Sequence, residues 1–287
     1  MDTVYRDASA RRRVTQWCRD RLDGWDVPHH RERVATALGD THVLTAGSGP
    51  GTVLVVPGTN FNAATSLPLA AALARRWRTH VVDVPGQPGL SAPTRPPGRS
   101  PGGYGTWLGE VLDQLARGPV VVVGHSLGGG IALACASPHL AGRVLLAPAG
   151  LARLRVTPRV LAVSLPWLLR PDERRGARLL DVLTGPGTAP RTELATWLTL
   201  VARSCRSSLA PAPLPGPVLE RARAVPNAVA TGEHDVFLPP RRLTRPARAR
   251  LGVPVRTLPG AGHLAPDTDP ALVADLVAAL PDPPPAR

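Results

Sequence analysis

No lysine occurs anywhere in the chain: all 34 basic side chains are arginine, set against 21 acidic ones for a formal net charge of +13. A phosphate-binding surface needs cations gathered into a stripe or patch. Here they are scattered in twos and threes (Arg11 to Arg13, Arg75 and Arg76, Arg174 and Arg175, Arg241 and Arg242) through a chain rich in Ala, Pro and Gly. That is the pattern of GC-rich codon usage, and no nucleic-acid partner is expected. Cysteine is scarce. Cys18, Cys135 and Cys205 make an odd count with no CxxC pair, which argues against a disulfide framework or a thiolate zinc site and suits reduced thiols. No apolar run reaches membrane length, so no membrane partner is expected. Met1 to Arg21 lacks an apolar h-region, and a cytoplasmic location is the expectation. His29, His30 and Glu32 look like a metal cluster only superficially and are read as solvated residues of an N-terminal loop. With no Walker-type loop and no G-x-G-x-x-G fingerprint in context, neither metal nor other cofactor is expected.

What is present is a core-forming chain: 287 residues, 43% hydrophobic, long enough for one large α/β domain with an insertion. Asp7 to Leu22 reads as an amphipathic helix with Val14, Trp17 and Leu22 near one face. Gly39-Asp40 reads as the turn of a hairpin. Apolar β-forming runs then alternate with helical stretches. The strands are expected at 52–56, 80–84, 120–124, 143–147, 227–231 and 253–258. The helices are expected at 67–77, 104–117, 127–137, 241–250 and 271–280. Such alternation predicts a mostly parallel sheet covered by helices on both faces, with its site at the C-terminal strand ends. From 151 to 217 the alternation breaks and only helical and Pro-rich pieces appear, among them 160–169 and 192–202. The expected organisation is a core of 1–150 and 218–287, with 1–30 as a helical extension and 151–217 as a helical cap. The Pro-rich tail, 281–287, is expected to fray.

The chemistry gathers at Gly124-His125-Ser126-Leu127-Gly128. This G-x-S-x-G follows a Val-rich strand and precedes a helix, the context in which a strained turn exposes a serine hydroxyl at a helix N-terminus. A serine needs a base, and the base an orienting acid. Asp235 follows the strand ending at Thr231, and His263 follows the strand ending at Leu258. Ser126, Asp235 and His263 therefore fall in the order nucleophile, acid, base, on one edge of the sheet. His234 is read as a surface or supporting group, His125 as packing, and Glu233 as a lesser rival for the acid. Oxyanion donors are expected from the Leu127 amide and from the loop Pro57-Gly58-Thr59-Asn60-Phe61-Asn62, with Thr59 first and Asn60 next. Asp83 to Ser91 reads as a structural turn in which Asp83 binds backbone. Phe61, Trp167 and Trp197 are candidates for the substrate pocket.

With PGTN, DVPGQPGLS, GHSLGG, GEHD and GAGH spread between Val53 and Pro270, the chain resembles the α/β-hydrolase superfamily, in particular bacterial esterase-like members of the fold-1 type. It departs from the usual His-Gly oxyanion loop in having Pro57 before Gly58. The resemblance implies acyl transfer: a small or medium ester cleaved through an acyl-Ser126 intermediate. Alternatives that keep the triad are a thioesterase, lactonase, acyltransferase or cofactor-free haloperoxidase. A non-catalytic binding protein on the same fold is the alternative from another class.

Overall fold

A computed structural model describes residues 3–95, 101–189, 191–206 and 212–280. The chain starts with helix α1 (Ala8–Asp23), whose first turn is capped by the Asp7 carboxylate accepting from the Ala10 amide at 2.7 Å. It buries Ala10, Val14, Cys18 and Leu22, one every four residues, so a single stripe meets the body. A hairpin follows, β1 (His29–Val34) and β2 (Thr41–Ala46), then β3 (Thr52–Val56), α2 (Leu67–Ala74) and β4 (Arg78–Val82). Next come α3 (Pro101–Leu115), β5 (Val120–His125), α4 (Leu127–Ala134) and β6 (Leu140–Leu146). Among the described residues between β6 and the next strand, order is helical: α5 (Pro158–Leu169), α6 (Glu173–Thr184), α7 (Thr192–Ser204) and α8 (Gly216–Arg221). The chain then returns to β7 (Asn227–Gly232), α9 (Pro240–Leu251), β8 (Val255–Leu258), α10 (Ala265–Thr268) and α11 (Pro270–Ala278).

The eight strands form one sheet in the order β1-β2-β4-β3-β5-β6-β7-β8, antiparallel at β1–β2 and β2–β4 and parallel elsewhere. This is the α/β-hydrolase fold. Side chains alternate between its faces. Val53, Val55, Val81, Val144 and Leu146 enter one apolar cluster with α1, α2, α7 and α11. Leu54, Val56, Val82, Val122 and Leu145 enter the other with α3, α4 and α9. Both faces being covered explains why the central strands read as continuous Val/Leu runs.

Several boundaries differ from the sequence expectations, each for a local reason. His29 and His30 belong to edge strand β1 rather than to a loop, with His30 paired to Glu32 at 3.4 Å. β4 ends at Val82, two residues early. Beyond it the buried Asp83 carboxylate turns to accept from the Ala63 and Leu90 amides at 2.8 and 2.7 Å. β6 starts at Leu140 because the register against β5 shifts between Val120 and Val121, which recruits Leu140 as a partner. Helix α6 was not anticipated; its signal was Asp172, whose carboxylate accepts from the Arg175 amide at 2.8 Å, ahead of Leu179, Leu180 and Leu183. The expected frayed tail, 281–287, lies outside the described residues.

Candidate active site

Ser126 stands between the end of β5 and the start of α4 with φ 50° and ψ −112°, a left-handed backbone setting that costs a non-glycine residue roughly 1–3 kcal/mol. Neighbours hold it there. Its amide donates to the Leu146 carbonyl at 2.9 Å, and its carbonyl accepts from the amides of Gly129, Gly130 and Ala149 at 3.0, 3.2 and 2.9 Å. At the far end of α4, the buried Arg143 guanidinium of β6 donates to the carbonyls of Ala132 and Cys135 at 2.7 and 2.8 Å, anchoring the helix that carries the elbow.

His263 lies on the loop after β8. Its Nδ1–H donates to Asp235 Oδ2 at 2.8 Å, which leaves the Nε2 lone pair free of that proton. Asp235, on the loop after β7, uses its other oxygen to accept from the Phe237 and Leu238 amides at 2.8 and 2.7 Å. Burial pushes the Asp235 carboxyl up. Its charge attraction and hydrogen bond to His263, with the Leu238 and Phe237 amides, outweigh that and hold it below the ordinary carboxylate range. The histidine loop is braced from α6, since the Gly262 and Leu264 amides donate to the carbonyls of Thr184 and Leu183 at 2.9 and 3.1 Å.

His125 is more than packing. A backbone carbonyl can only accept, so its contact with the His263 carbonyl at 2.9 Å is an Nε2–H donation that ties the elbow to the histidine loop. The opposite edge of its ring meets Gly58, where an added Cβ would stand 2.9 Å from Nδ1. Only a residue without a side chain lets the 57–62 loop come this close. Within that loop Asn60 has φ 66°, its amide donates to Gln87 Oε1 at 3.0 Å and its carbonyl accepts from Trp197 Nε1 at 2.8 Å. Two expectations change here. The Asn60 amide is already engaged and is not a free oxyanion donor. Trp197 is fully buried against Trp17, ring centroids 4.6 Å apart, and supports the loop from behind instead of lining a pocket. The Thr59 and Leu127 amides make no hydrogen bond among the described residues. Gln87, which the sequence placed in a merely structural turn, fixes the loop conformation. His234 and Glu233 stay at the surface, 3.9 Å apart, with Glu233 accepting from the Gly260 amide at 3.0 Å.

Ser126, His263, His125, Thr59 and Phe61 open on one cavity of about 240 Å³. Its other walls are mostly apolar, with Val160, Trp167, Leu179, Leu198 and Phe237 among them. The Trp167 ring is pinned by Nε1–H donation to the Leu198 carbonyl at 3.1 Å. Among the described residues no group of three or more His, Cys, Asp or Glu is placed to hold a metal.

Residues 53–276 match the model of the alpha/beta hydrolase family. The chain belongs to that family. As an alpha/beta hydrolase it is a hydrolytic enzyme. An uncharacterized protein of Mycobacterium tuberculosis is 27% identical over 260 residues, 81% of this chain and 75% of the relative. Among solved structures, carboxylesterase CesB of Bacillus subtilis superposes with a TM-score of 0.77 at 20% identity, covering 95% of this chain and 98% of its own. Naproxen esterase of the same organism gives 0.75 at 22% identity, over 95% and 98%. At such identities these two speak for a shared fold.

The buried histidines of this hydrolase give its stability a pH dependence. Burial pushes the His125 imidazole down to about 3, with the nearby His263 as a smaller cause, and burial pushes His80, bonded to the Thr45 hydroxyl at 2.8 Å, down to about 4. Between these values and the ordinary 6.5 the unfolded chain binds protons that the folded one refuses. Stability is therefore full above pH 6.5 and falls as the pH drops. From pH 6.5 to 5 the two together are expected to cost about 3 kcal/mol. Denaturant unfolding across this range should show the loss, and His80→Gln should shrink it by about half.

Proposed function

We propose that this alpha/beta hydrolase cleaves small or medium carboxylic esters through an acyl-Ser126 intermediate. The observation that carries the reading is convergence on one apolar cavity. A serine in a strained turn, a histidine whose Nδ1 proton is held by a buried carboxylate, and Thr59 line it together, and the amides of Thr59 and of Leu127, next in the chain to that serine, have no partner among the described residues. In this mechanism His263 Nε2 takes the Ser126 hydroxyl proton as Oγ attacks the ester carbonyl. The Leu127 and Thr59 amides receive the developing oxyanion, each worth on the order of 10²–10³ in rate. His263 then hands its proton to the departing alcohol, activates a water, and the acyl-serine is hydrolysed. Asp235 keeps its charge and holds the imidazole in the required tautomer.

In the same reading residues 151–217 act as a cap on a core of 1–150 and 218–287. Val160, Trp167, Leu179 and Leu198 line the cavity from that segment, beside Phe61 and Phe237. An apolar lining favours an uncharged ester with hydrocarbon on at least one side. The carboxylesterases among the structural neighbours lean the same way. Cytoplasmic placement belongs to this reading as well, because Cys18, Cys135 and Cys205 are free thiols buried in the fold.

The test is hydrolysis of p-nitrophenyl acetate and butyrate, with fluorophosphonate labelling, by the wild type and Ser126→Ala. Turnover and labelling are expected in the wild type, with labelling absent and turnover reduced by about 10⁴ or more in the variant. A wild type that neither labels nor turns over would overturn the proposal.

A further inference from the structure

Every exposed large hydrophobic side chain among the described residues falls in one stretch of 14 residues: Val156, Leu161, Leu165, Leu168 and Leu169. The last is 78% exposed. Helix α5 carries four of the five. Its inner face sends Val160, Ser164 and Trp167 into the cavity, a spacing of four and then three residues. Its outer face repeats that spacing with Leu161, Leu165 and Leu168. A surface helix ordinarily turns polar residues outward, and one that is apolar all round is ordinarily covered on both sides. The outer face of α5 is therefore built to be covered.

Charge identifies the cover. Arg153, Arg155, Arg159 and Arg170 are exposed within and on either side of this apolar stretch of the chain, and no carboxylate occurs between Ala152 and Pro171. The next two, Asp172 and Glu173, are engaged by Arg175 and by the Thr196 hydroxyl. A second copy seated here by two-fold symmetry would press this arginine fringe against itself. An anionic lipid surface suits both features: leucines enter the acyl boundary while guanidiniums meet phosphates. We propose that α5 docks this hydrolase onto an anionic lipid–water interface, so that the ester it takes is one held in that interface. The substrate class rests on the ester-hydrolase reading; the docking does not. Among the described residues no helix is long and apolar enough to cross a membrane. Lying on one is a different relation, and on this point the proposal departs from the expectation of no membrane partner.

The test is co-sedimentation with phosphatidylcholine vesicles, with and without phosphatidylglycerol, of the wild type, Leu165→Glu/Leu169→Glu and Arg155→Glu/Arg159→Glu. The wild type is expected to bind the anionic vesicles at least about tenfold more tightly, and less so as salt rises. The leucine variant should lose vesicle binding while keeping its melting temperature and its hydrolysis of soluble p-nitrophenyl butyrate, since both side chains already face water. The arginine variant should lose the preference for anionic lipid. Equal binding to both vesicles, or an unchanged leucine variant, overturns the docking. So does a wild-type dimer that the leucine variant converts to monomer, because a second copy then covers the face. Vesicle binding without ester hydrolysis upholds docking and removes the ester reading; hydrolysis without vesicle binding does the reverse.

Discussion

Asp235→Asn is expected to lower kcat by about four orders of magnitude while the protein stays folded. The reason lies in which oxygen is committed to what. Oδ1 accepts from two backbone amides, Phe237 and Leu238, and only an oxygen can stay there. The new NH₂ group must then take the place of Oδ2 and donate to His263 Nδ1, which now has to be the unprotonated nitrogen. The imidazole proton moves to Nε2, on the side that should accept from Ser126, and the base is lost through a change of tautomer alone. Both backbone amides keep their acceptor, so the cost in stability should be on the order of 1 kcal/mol. Steady-state kinetics with p-nitrophenyl butyrate beside a thermal melt separates the effects. A variant within tenfold of wild-type kcat would remove Asp235 from the mechanism.

The second large effect is structural. Gly128→Ala should leave little or no folded protein. A Cβ at that position would stand 1.9 Å from the Val56 carbonyl oxygen and 2.8 Å from that of Pro57, against the end of β3. Strand β3 cannot retreat, because β4 and β5 hold it from either side. Moving α4 away instead would drag Ser126 out of its turn. The penalty should exceed about 4 kcal/mol, a large share of the roughly 5–15 kcal/mol that stabilises a domain. Gly109→Ala is the control. It lies in α3 with nothing within 4 Å of its added Cβ, and it should gain about 0.5–1 kcal/mol from helix propensity. Soluble yield and denaturant midpoints of the two variants test the contrast. A well-folded Gly128→Ala protein would mean the elbow tolerates a side chain.

Much of this architecture was legible along the chain because its signals are local. Strand β3 was anticipated at its observed bounds, and β5, β7 and the helices that follow them to within a few residues, since a Val-rich run followed by glycine and a helical stripe needs no distant partner to be recognised. The reading of Asp83 as a backbone-binding residue was local too, resting on the Pro- and Gly-rich turn after it. Where the expectations failed, the deciding contact came from far away. The Asn60 amide is occupied by Gln87, 27 residues on, and Trp197 reaches back 137 residues to the Asn60 carbonyl. His125 touches the His263 carbonyl across 138 residues. No periodicity reports such pairs.

By itself, then, the sequence determined the alternation of elements, the parallel sheet with both faces covered, and the chemical types and order of Ser126, Asp235 and His263. These follow from backbone propensity and hydrophobic period, which act over a few residues. Only the tertiary structure decided which amides stay unpartnered, which tryptophan lines the cavity and which braces its loop, and that helix α5 is apolar toward solvent as well as inward. Those outcomes depend on what each group meets after the sheet has brought remote segments together. Burial and hydrogen-bond satisfaction are properties of that assembled neighbourhood, not of the residue that experiences them.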